Sequence, residues 1–152
     1  MPPKSRMADA SLRGDLPDVN VWLALLNPQH VRHAAASTYW EQTAFSRIFL
    51  CRITKLGILR LVTQKVVMGG TPFTVKQAWA ALQSLVDRPE VAFQAEPDGV
   101  DNIMRQFTLQ AQFRLADWTD AYLAALAMRT GLRLVTFERG FGRYTGLGLL
   151  AL

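Results

Sequence analysis

Hydrophobic positions along this chain fall into short blocks whose spacing alternates between that of strands and that of helices. The block from Leu16 to Leu26 opens as a brief apolar segment and continues with helical spacing until Asn27-Pro28 stops it. Pro17 lacks a backbone N–H, which suits a sheet edge or the start of a strand. Val31, Ala34, Ala35 and Thr38 share one face of a second predicted helix, and Arg47–Cys51 reads as a short strand. A helix over 52–63 follows, with Ile53, Leu56, Leu59 or Arg60, and Val62 roughly along one surface, ended by the loop around Met68-Gly69-Gly70-Thr71-Pro72. Thr74 with Gln77 three residues on is a capping-box signature. Behind it Val75, Ala78, Trp79, Leu82, Leu85 and Val86 recur at the spacing of an amphipathic helix, closed by Pro89. Val91–Phe93 is a candidate strand. Asp98 is placed to cap a helix carrying Val100, Ile103, Met104 and Phe107. A further helix runs from about Asp117 to Arg129, with Gly131 at its C′ position, followed by strands at Leu132–Thr136 and within 147–152.

Strands alternating with helices predict an α/β fold with a mainly parallel sheet and helices on both faces. In such sheets ligands collect beyond the carboxyl ends of the strands, which is where Asp18 and Glu138 fall.

The chain's 152 residues suit a single domain over 14–152, with residues 1–13 read as a flexible N-terminal tail. Half of the residues are hydrophobic and 19% are charged, which excludes disorder over most of the length. One cysteine, Cys51, allows neither an internal disulfide nor a cysteine-based zinc site, and favours a cytoplasmic setting. No run approaches the ~20 apolar residues of a membrane span, and the first residues contain no apolar segment of the kind a signal peptide needs. No membrane association is expected. A net charge of +5 and a pI near 9.9 favour anionic partners, nucleic acid first.

Four acids occupy unusual places: Asp18 after the first strand, Asp117 and Asp120 in the first turn of a helix, and Glu138 just past Thr136. Two carboxylates 4 Å apart repel by about 4 kcal/mol at an effective dielectric of 20, so a convergent cluster needs a cation, a shared proton or a basic neighbour. Mg²⁺ or Mn²⁺ meets that need with hard oxygen ligands and can activate water against a phosphodiester. Each acid also has a plainer explanation. Asp117 reads as an N-cap, Asp120 as a partner of the helix dipole, and Glu138 beside Arg139 as a surface ion pair. Asp18, interrupting an apolar run, has the fewest alternatives.

With these residues in view the chain resembles a PIN-domain ribonuclease of the VapC type, the toxin half of VapBC toxin–antitoxin pairs. The matching stretches, in the family's order, are Asp18-Val-Asn-Val-Trp-Leu-Ala-Leu, Cys51-Arg-Ile-Thr-Lys-Leu-Gly-Ile-Leu-Arg-Leu, Trp118-Thr-Asp-Ala-Tyr-Leu-Ala-Ala-Leu-Ala and Leu134-Val-Thr-Phe-Glu-Arg-Gly-Phe. The resemblance implies a three-layer α/β/α sandwich, a divalent-metal site (Mg²⁺ or Mn²⁺) and cleavage of single-stranded or loop RNA. It implies metal-site roles for Asp18, Asp120 and Glu138, the last where the family commonly has Asp, and an orienting role for the Thr136 hydroxyl. It also implies neutralisation by a cognate antitoxin, and homodimers are common in the family. One departure is Lys55, near the position where the family often carries a second acid. An ammonium cannot ligate Mg²⁺, so Lys55 either neutralises Asp18 and Asp120 or points to phosphate.

Arg52, Lys55 and Arg139, with Arg60, Lys65, Arg114 and Arg143, are candidate contacts to an RNA backbone, although each alone also reads as a solvated surface charge. Trp118 and Phe141 flank the acids and suit either base stacking or the core, with the core favoured for Trp118. His30 and His33 lack a third ligand and read as surface histidines. Cys51 reads as a buried strand residue. The helices at 52–63 and 74–87 are also placed to leave a groove for an antitoxin peptide, against ordinary core packing as the plainer outcome. The leading expectation is a metal-dependent endoribonuclease, and the alternative is a catalytically weakened PIN-fold module that binds RNA or antitoxin. A phosphate-accepting regulatory domain is disfavoured, because its paired early acids and late-strand lysine are not evident.

Overall fold

A computed structural model describes residues 12–152; the expected N-terminal tail lies outside the described residues except for Leu12 and Arg13. Arg13 is already tied to the domain, its amide donating to the Gly131 carbonyl at 2.7 Å and its guanidinium to the Thr130 carbonyl at 2.9 Å.

Five short strands form one fully parallel sheet: β1 (Asp15–Pro17), β2 (Ile48–Leu50), β3 (Val91–Phe93), β4 (Arg133–Thr136) and β5 (Leu149–Ala151). Their order is β3-β2-β1-β4-β5, so the chain builds outward from β1 and then returns to add β4 on the other side. The β1/β4 seam is therefore the topological switch point, where the crossover connections leave a crevice at the strands' carboxyl ends. The helices are α1 (Val19–Leu26), α2 (His33–Thr38), α3 (Arg52–Val62), α4 (Val75–Val86), α5 (Val100–Thr108) and α6 (Trp118–Thr130). Short 3₁₀ turns at Leu115–Asp117 and Arg139–Arg143 flank the last helix and the β4–β5 connection.

Alternation along each strand sorts the core into two faces. Leu16, Phe49 and Leu134 pack with α5 and α6 through Val100, Leu123, Ala124 and Leu126. Ile48 and Leu50 point the other way, against Trp22, Ile58, Val62, Ala78 and Leu82 of α1, α3 and α4. Val135 joins Val21 and Ala24 of α1, Ala36 of α2 and Tyr39 just beyond it on that same face. The result is the α/β/α sandwich. No helix among the described residues is long and apolar enough to cross a membrane.

Pro17 departs from the expectation of an edge or strand start, since it closes the central strand opposite Val135. Its missing N–H falls on the β2 side, where pairing has already ended at Asp15 with Ile48, so no ladder bond is lost. Its carbonyl accepts from the Trp22 indole N–H at 3.1 Å, which pins α1 to the strand end. The face expected for α2 is also corrected: Val31, Ala34, Ala35 and Thr38 are exposed, and Ala36 with Tyr39 faces inward. On α3 the buried side is Thr54, Ile58 and Val62, leaving Leu56 in solvent. On α4 only Ala78, Leu82 and Leu85 are buried, while Val75, Trp79 and Val86 are exposed, although the Thr74–Gln77 capping box forms reciprocally at 2.8 and 3.1 Å. Both helices carry apolar residues on two sides, so periodicity alone could not select the inward one. Asp98 does not cap α5; left-handed Gly99 holds that position, and the Asp98 carbonyl instead accepts from Arg129 at 2.8 Å. Gly131 ends α6 in the left-handed conformation, as its place in the sequence requires.

Candidate metal centre

Three elements deliver the acids. Asp18 follows Pro17 at the end of β1, and its amide donates to the Val135 carbonyl at 2.8 Å, which holds it against β4. Its own side chain accepts from the Val19 amide at 2.7 Å in the first turn of α1. Asp120 lies in the first turn of α6, where the helix dipole favours a negative charge. Glu138 stands two residues beyond the end of β4. One carboxylate oxygen from each of Asp18, Asp120 and Glu138 lies within 4.8 Å of the other two, with Asp18 buried, Asp120 half-buried and Glu138 exposed.

Fully buried Thr136 organises this cluster. Its hydroxyl donates to Asp18 Oδ2 at 3.1 Å and accepts from the Glu138 amide at 3.0 Å and from Asn20 Nδ2 at 3.3 Å. Asn20 in turn accepts from the Phe137 amide at 3.4 Å. One hydroxyl thus fixes the orientation of Asp18 relative to the strand that carries Glu138. Asn20 was not singled out in the sequence, although it is the second polar residue of the Asp-x-Asn start.

The electrostatics are those of a cluster short of positive charge. Burial, opposed by the Val19 and Thr136 hydrogen bonds and reinforced by Glu138, pushes Asp18 up to about 6. Burial and then repulsion from Glu138 and Asp18 push Asp120 up to about 7, against the pull of Arg143. Among the described residues neither Asp18 nor Glu138 forms an ion pair. Arg143 reaches Asp120 at 3.8 Å but is held more tightly by Asp117 at 3.1 Å. Asp117 occupies the N-cap position of α6 but makes no capping bond; its carboxylate takes a two-pronged bond from Arg114 at 2.8 and 2.9 Å, which holds it below the usual carboxylate range.

Lys55 does not neutralise the acids. Its ammonium lies 4.8 Å from the centre of the Phe93 ring, which also receives Arg52 at 5.7 Å, and Lys55 forms no ion pair among the described residues. Two expected RNA contacts therefore meet on one half-exposed aromatic at the carboxyl end of β3, while Arg139 is exposed beside Glu138. Trp118 departs from the core placement favoured for it: it is 51% exposed and meets Phe113 edge-on at 5.0 Å, whereas Phe141 is buried. His33 is occupied by the Ala24 carbonyl at 2.6 Å and His30 by the Arg32 amide at 3.1 Å, so both serve local structure. Helices α3 and α4 pack on each other through Ile58, Val62, Ala78 and Leu82, with a cavity of about 70 Å³ where Lys55 and Val86 meet β3. A larger cleft of about 240 Å³ opens among α1, α3 and α6, lined by Asp18, Ile53, Leu56, Arg60 and Thr119. Gly57 on its wall lets α3 approach α1 closely, since a Cβ there would come within 2.9 Å of Val19.

Fold and cluster together define the class: an α/β/α domain with acids gathered at the β1/β4 switch point. The PIN-domain family pattern matches residues 16–147. Ribonuclease VapC41 of Mycobacterium tuberculosis is 39% identical over 138 residues, covering 87% of this chain and 94% of that protein. Ribonuclease VapC39 of the same organism is 34% identical over 143 residues, covering 88% and 94% respectively. Among solved structures, Mycobacterium tuberculosis VapC20, described as a sarcin-ricin loop cleaving toxin, superposes with a TM-score of 0.63 at 16% identity over 84% of this chain and 92% of that one. VapBC2 from Rickettsia felis, solved with a promoter DNA fragment, gives a TM-score of 0.64 at 14% identity over 90% and 96%. The chain belongs to the PIN-domain family, and within it to the VapC-type ribonuclease toxins.

Proposed function

We propose that this protein is a divalent-metal-dependent endoribonuclease that cleaves single-stranded or loop RNA, a cytoplasmic toxin held in check by a cognate antitoxin. The observation that carries the reading is the meeting of Asp18, Asp120 and Glu138 within 4.8 Å at the switch point, with too little positive charge to balance them. The donor set fits Mg²⁺ or Mn²⁺: three hard carboxylates gathered within 4.8 Å of one another, which Asp18, Asp120 and Glu138 would offer to one such ion. When bound there, the ion would polarise a phosphodiester and make an attacking water more acidic.

The chain's own residues supply orientation and charge. The Thr136 hydroxyl orients the Asp18 carboxylate, and the Glu138 amide orients Thr136, which ties Asp18 to the backbone that carries Glu138. Arg143, anchored on Asp117, limits the repulsion felt by Asp120 without displacing it from the cluster. Arg52 and Lys55 around Phe93, together with exposed Arg139, provide phosphate and stacking contacts for an RNA strand. The cleft beside Asp18, with exposed Leu56 on its wall, suits an antitoxin segment that reaches the acids. The alternative of a catalytically weakened RNA- or antitoxin-binding module rested on Lys55. It is disfavoured because the three remaining acids converge without that position.

Incubation of the purified protein with a labelled single-stranded RNA pool tests the proposal. Cleavage is expected with Mg²⁺ or Mn²⁺, is abolished by EDTA, and falls at least about a hundredfold in Asp18→Asn. Cleavage indifferent to both EDTA and this substitution contradicts it. An inert wild type that gains activity with Lys55→Glu favours the binding module.

A further inference from the structure

Beside the acids, on the far side of Arg143, lies a second cavity that the proposed chemistry does not use. It occupies about 120 Å³ between the segment after α5 and the 139–144 turn. Phe107, Phe113 and Tyr144 form an aromatic wall, with Phe107 and Tyr144 tilted against each other at 4.8 Å. Gln110 and Gln112 supply amides at its rim, both on exposed residues, and the Gln112 amide nitrogen donates to Gln110 at 3.2 Å.

Arg143 joins this cavity to the acid cluster. Its guanidinium donates to the Gly140 carbonyl at 2.9 Å and to the Tyr144 hydroxyl at 2.9 Å, and reaches Asp117 at 3.1 Å and Asp120 at 3.8 Å. Asp117 is clamped in turn by Arg114, another lining residue. The two guanidiniums against the one Asp117 carboxylate leave a net charge of +1 in the lining, directly beside a cluster of three negative groups. Outside the mouth, half-exposed Trp118 extends the aromatic surface by its edge contact with Phe113 at 5.0 Å. Aromatic faces, reading amides and a fixed positive fork within reach of the reacting phosphate are what recognition of an unstacked nucleotide requires.

We infer that this cavity is a nucleotide subsite: it receives the base next to the cleaved phosphodiester, with Arg143 holding that nucleotide's phosphate. The inference rests on the ribonuclease reading. It adds that sequence preference is set here, by Gln110 and Gln112 against the base edge. The phosphate contact belongs to Arg143, the one cation touching both the acid cluster and the cavity among the described residues.

The test is digestion of a randomised single-stranded RNA pool with sequencing of the new ends, comparing wild type with Gln112→Ala, Phe113→Ala and Arg143→Lys. Both glutamines are exposed, so their removal should not disturb folding. Wild type should show a base preference at one position flanking the cut. Gln112→Ala should erase it there by lowering kcat/KM for the preferred base towards the value for the others, and Phe113→Ala should lower kcat/KM about tenfold. Unchanged preference and rate in all three variants overturns the subsite while leaving the nuclease reading intact. The second arm is independent of turnover: Asp18→Asn protein is irradiated with a 4-thiouridine oligoribonucleotide. Crosslinks should map to residues 107–118 or 143–144, and crosslinks confined to other segments overturn the assignment even if wild type proves inactive. Variants with unaltered RNA behaviour that escape inhibition by the antitoxin would overturn it too, and would give the cavity to the protein partner.

Discussion

Asp15 and Asp18 bracket the same short strand, are both buried, and live in opposite environments. Asp15 accepts from Arg133 Nε at 2.7 Å and its terminal nitrogen at 3.0 Å, from the Tyr39 hydroxyl at 2.7 Å and from the Phe45 amide at 3.0 Å. A π-helical turn at Tyr39–Thr43 follows α2 and begins at the residue that supplies that hydroxyl, whose own ionisation burial and Asp15 strongly suppress. Asp18 receives one amide and one hydroxyl, meets no cation among the described residues, and faces two further acids. One end of β1 thus carries a charge neutralised and fully bonded within the fold, and the other a charge left for something from outside. Burial alone does not mark a functional acid; burial without a protein counter-charge does.

The largest effect should come from breaking the satisfied end. Asp15→Ala strands the largely covered Arg133 guanidinium and leaves the Tyr39 hydroxyl and Phe45 amide without their acceptor, and should destabilise the protein by about 3 kcal/mol in urea unfolding. Asp18→Asn should not. A comparable loss from both would mean that Asp18, too, is a structural charge.

Next comes pH. The folded-state values of Asp18 and Asp120 lie above the ordinary 3.8, at about 6 and about 7. The metal-free folded state therefore binds more protons than the unfolded chain between about pH 4 and 7, and its stability falls as pH rises through that window. Asp18→Asn removes most of its share, so at pH 7.5 it should be more stable than wild type by about 1–2 kcal/mol. Thermal unfolding of metal-free protein from pH 4 to 8 reads both the slope and its flattening in the variant. A wild-type Tm that climbs steadily over that range would contradict the cluster's electrostatics.

Thr136→Val sharpens the comparison from the other side. It removes the hydroxyl that orients Asp18 while keeping the β-branched shape, and should lower RNA cleavage about 10–100-fold with a Tm shift of only a few degrees. The smallest effect belongs to Lys55→Glu. With its ammonium on Phe93 rather than among the acids, the charge reversal weakens one phosphate contact and should lower kcat/KM on the same RNA pool by no more than about tenfold, mainly through KM.

Most elements were legible from the sequence because proline, glycine and the period of the apolar residues punctuate it closely; Gly131 and the Thr74–Gln77 box are examples. Asp18, Asp120 and Glu138 were legible because acids at strand ends and in a helix's first turn interrupt otherwise apolar text, and the matched motifs carry them. Asp15 was not, since its partners Tyr39 and Arg133 are 24 and 118 residues away and nothing local announces them. Asp117 does stand at the N-cap position of α6, but its carboxylate is taken by Arg114, three residues before it, and by Arg143, which only the folded 139–143 turn brings within reach. The inward sides of α3 and α4 failed where apolar residues such as Leu56 and Trp79 sit on the outer surface as well.

Anomalous scattering from crystals soaked in Mn²⁺ tests the central claim most directly. A peak bounded by the carboxylates of Asp18, Asp120 and Glu138, lost in crystals of Asp120→Asn, is the predicted result. Well-ordered wild-type crystals with no peak there, or a peak that survives the substitution unchanged, would contradict it.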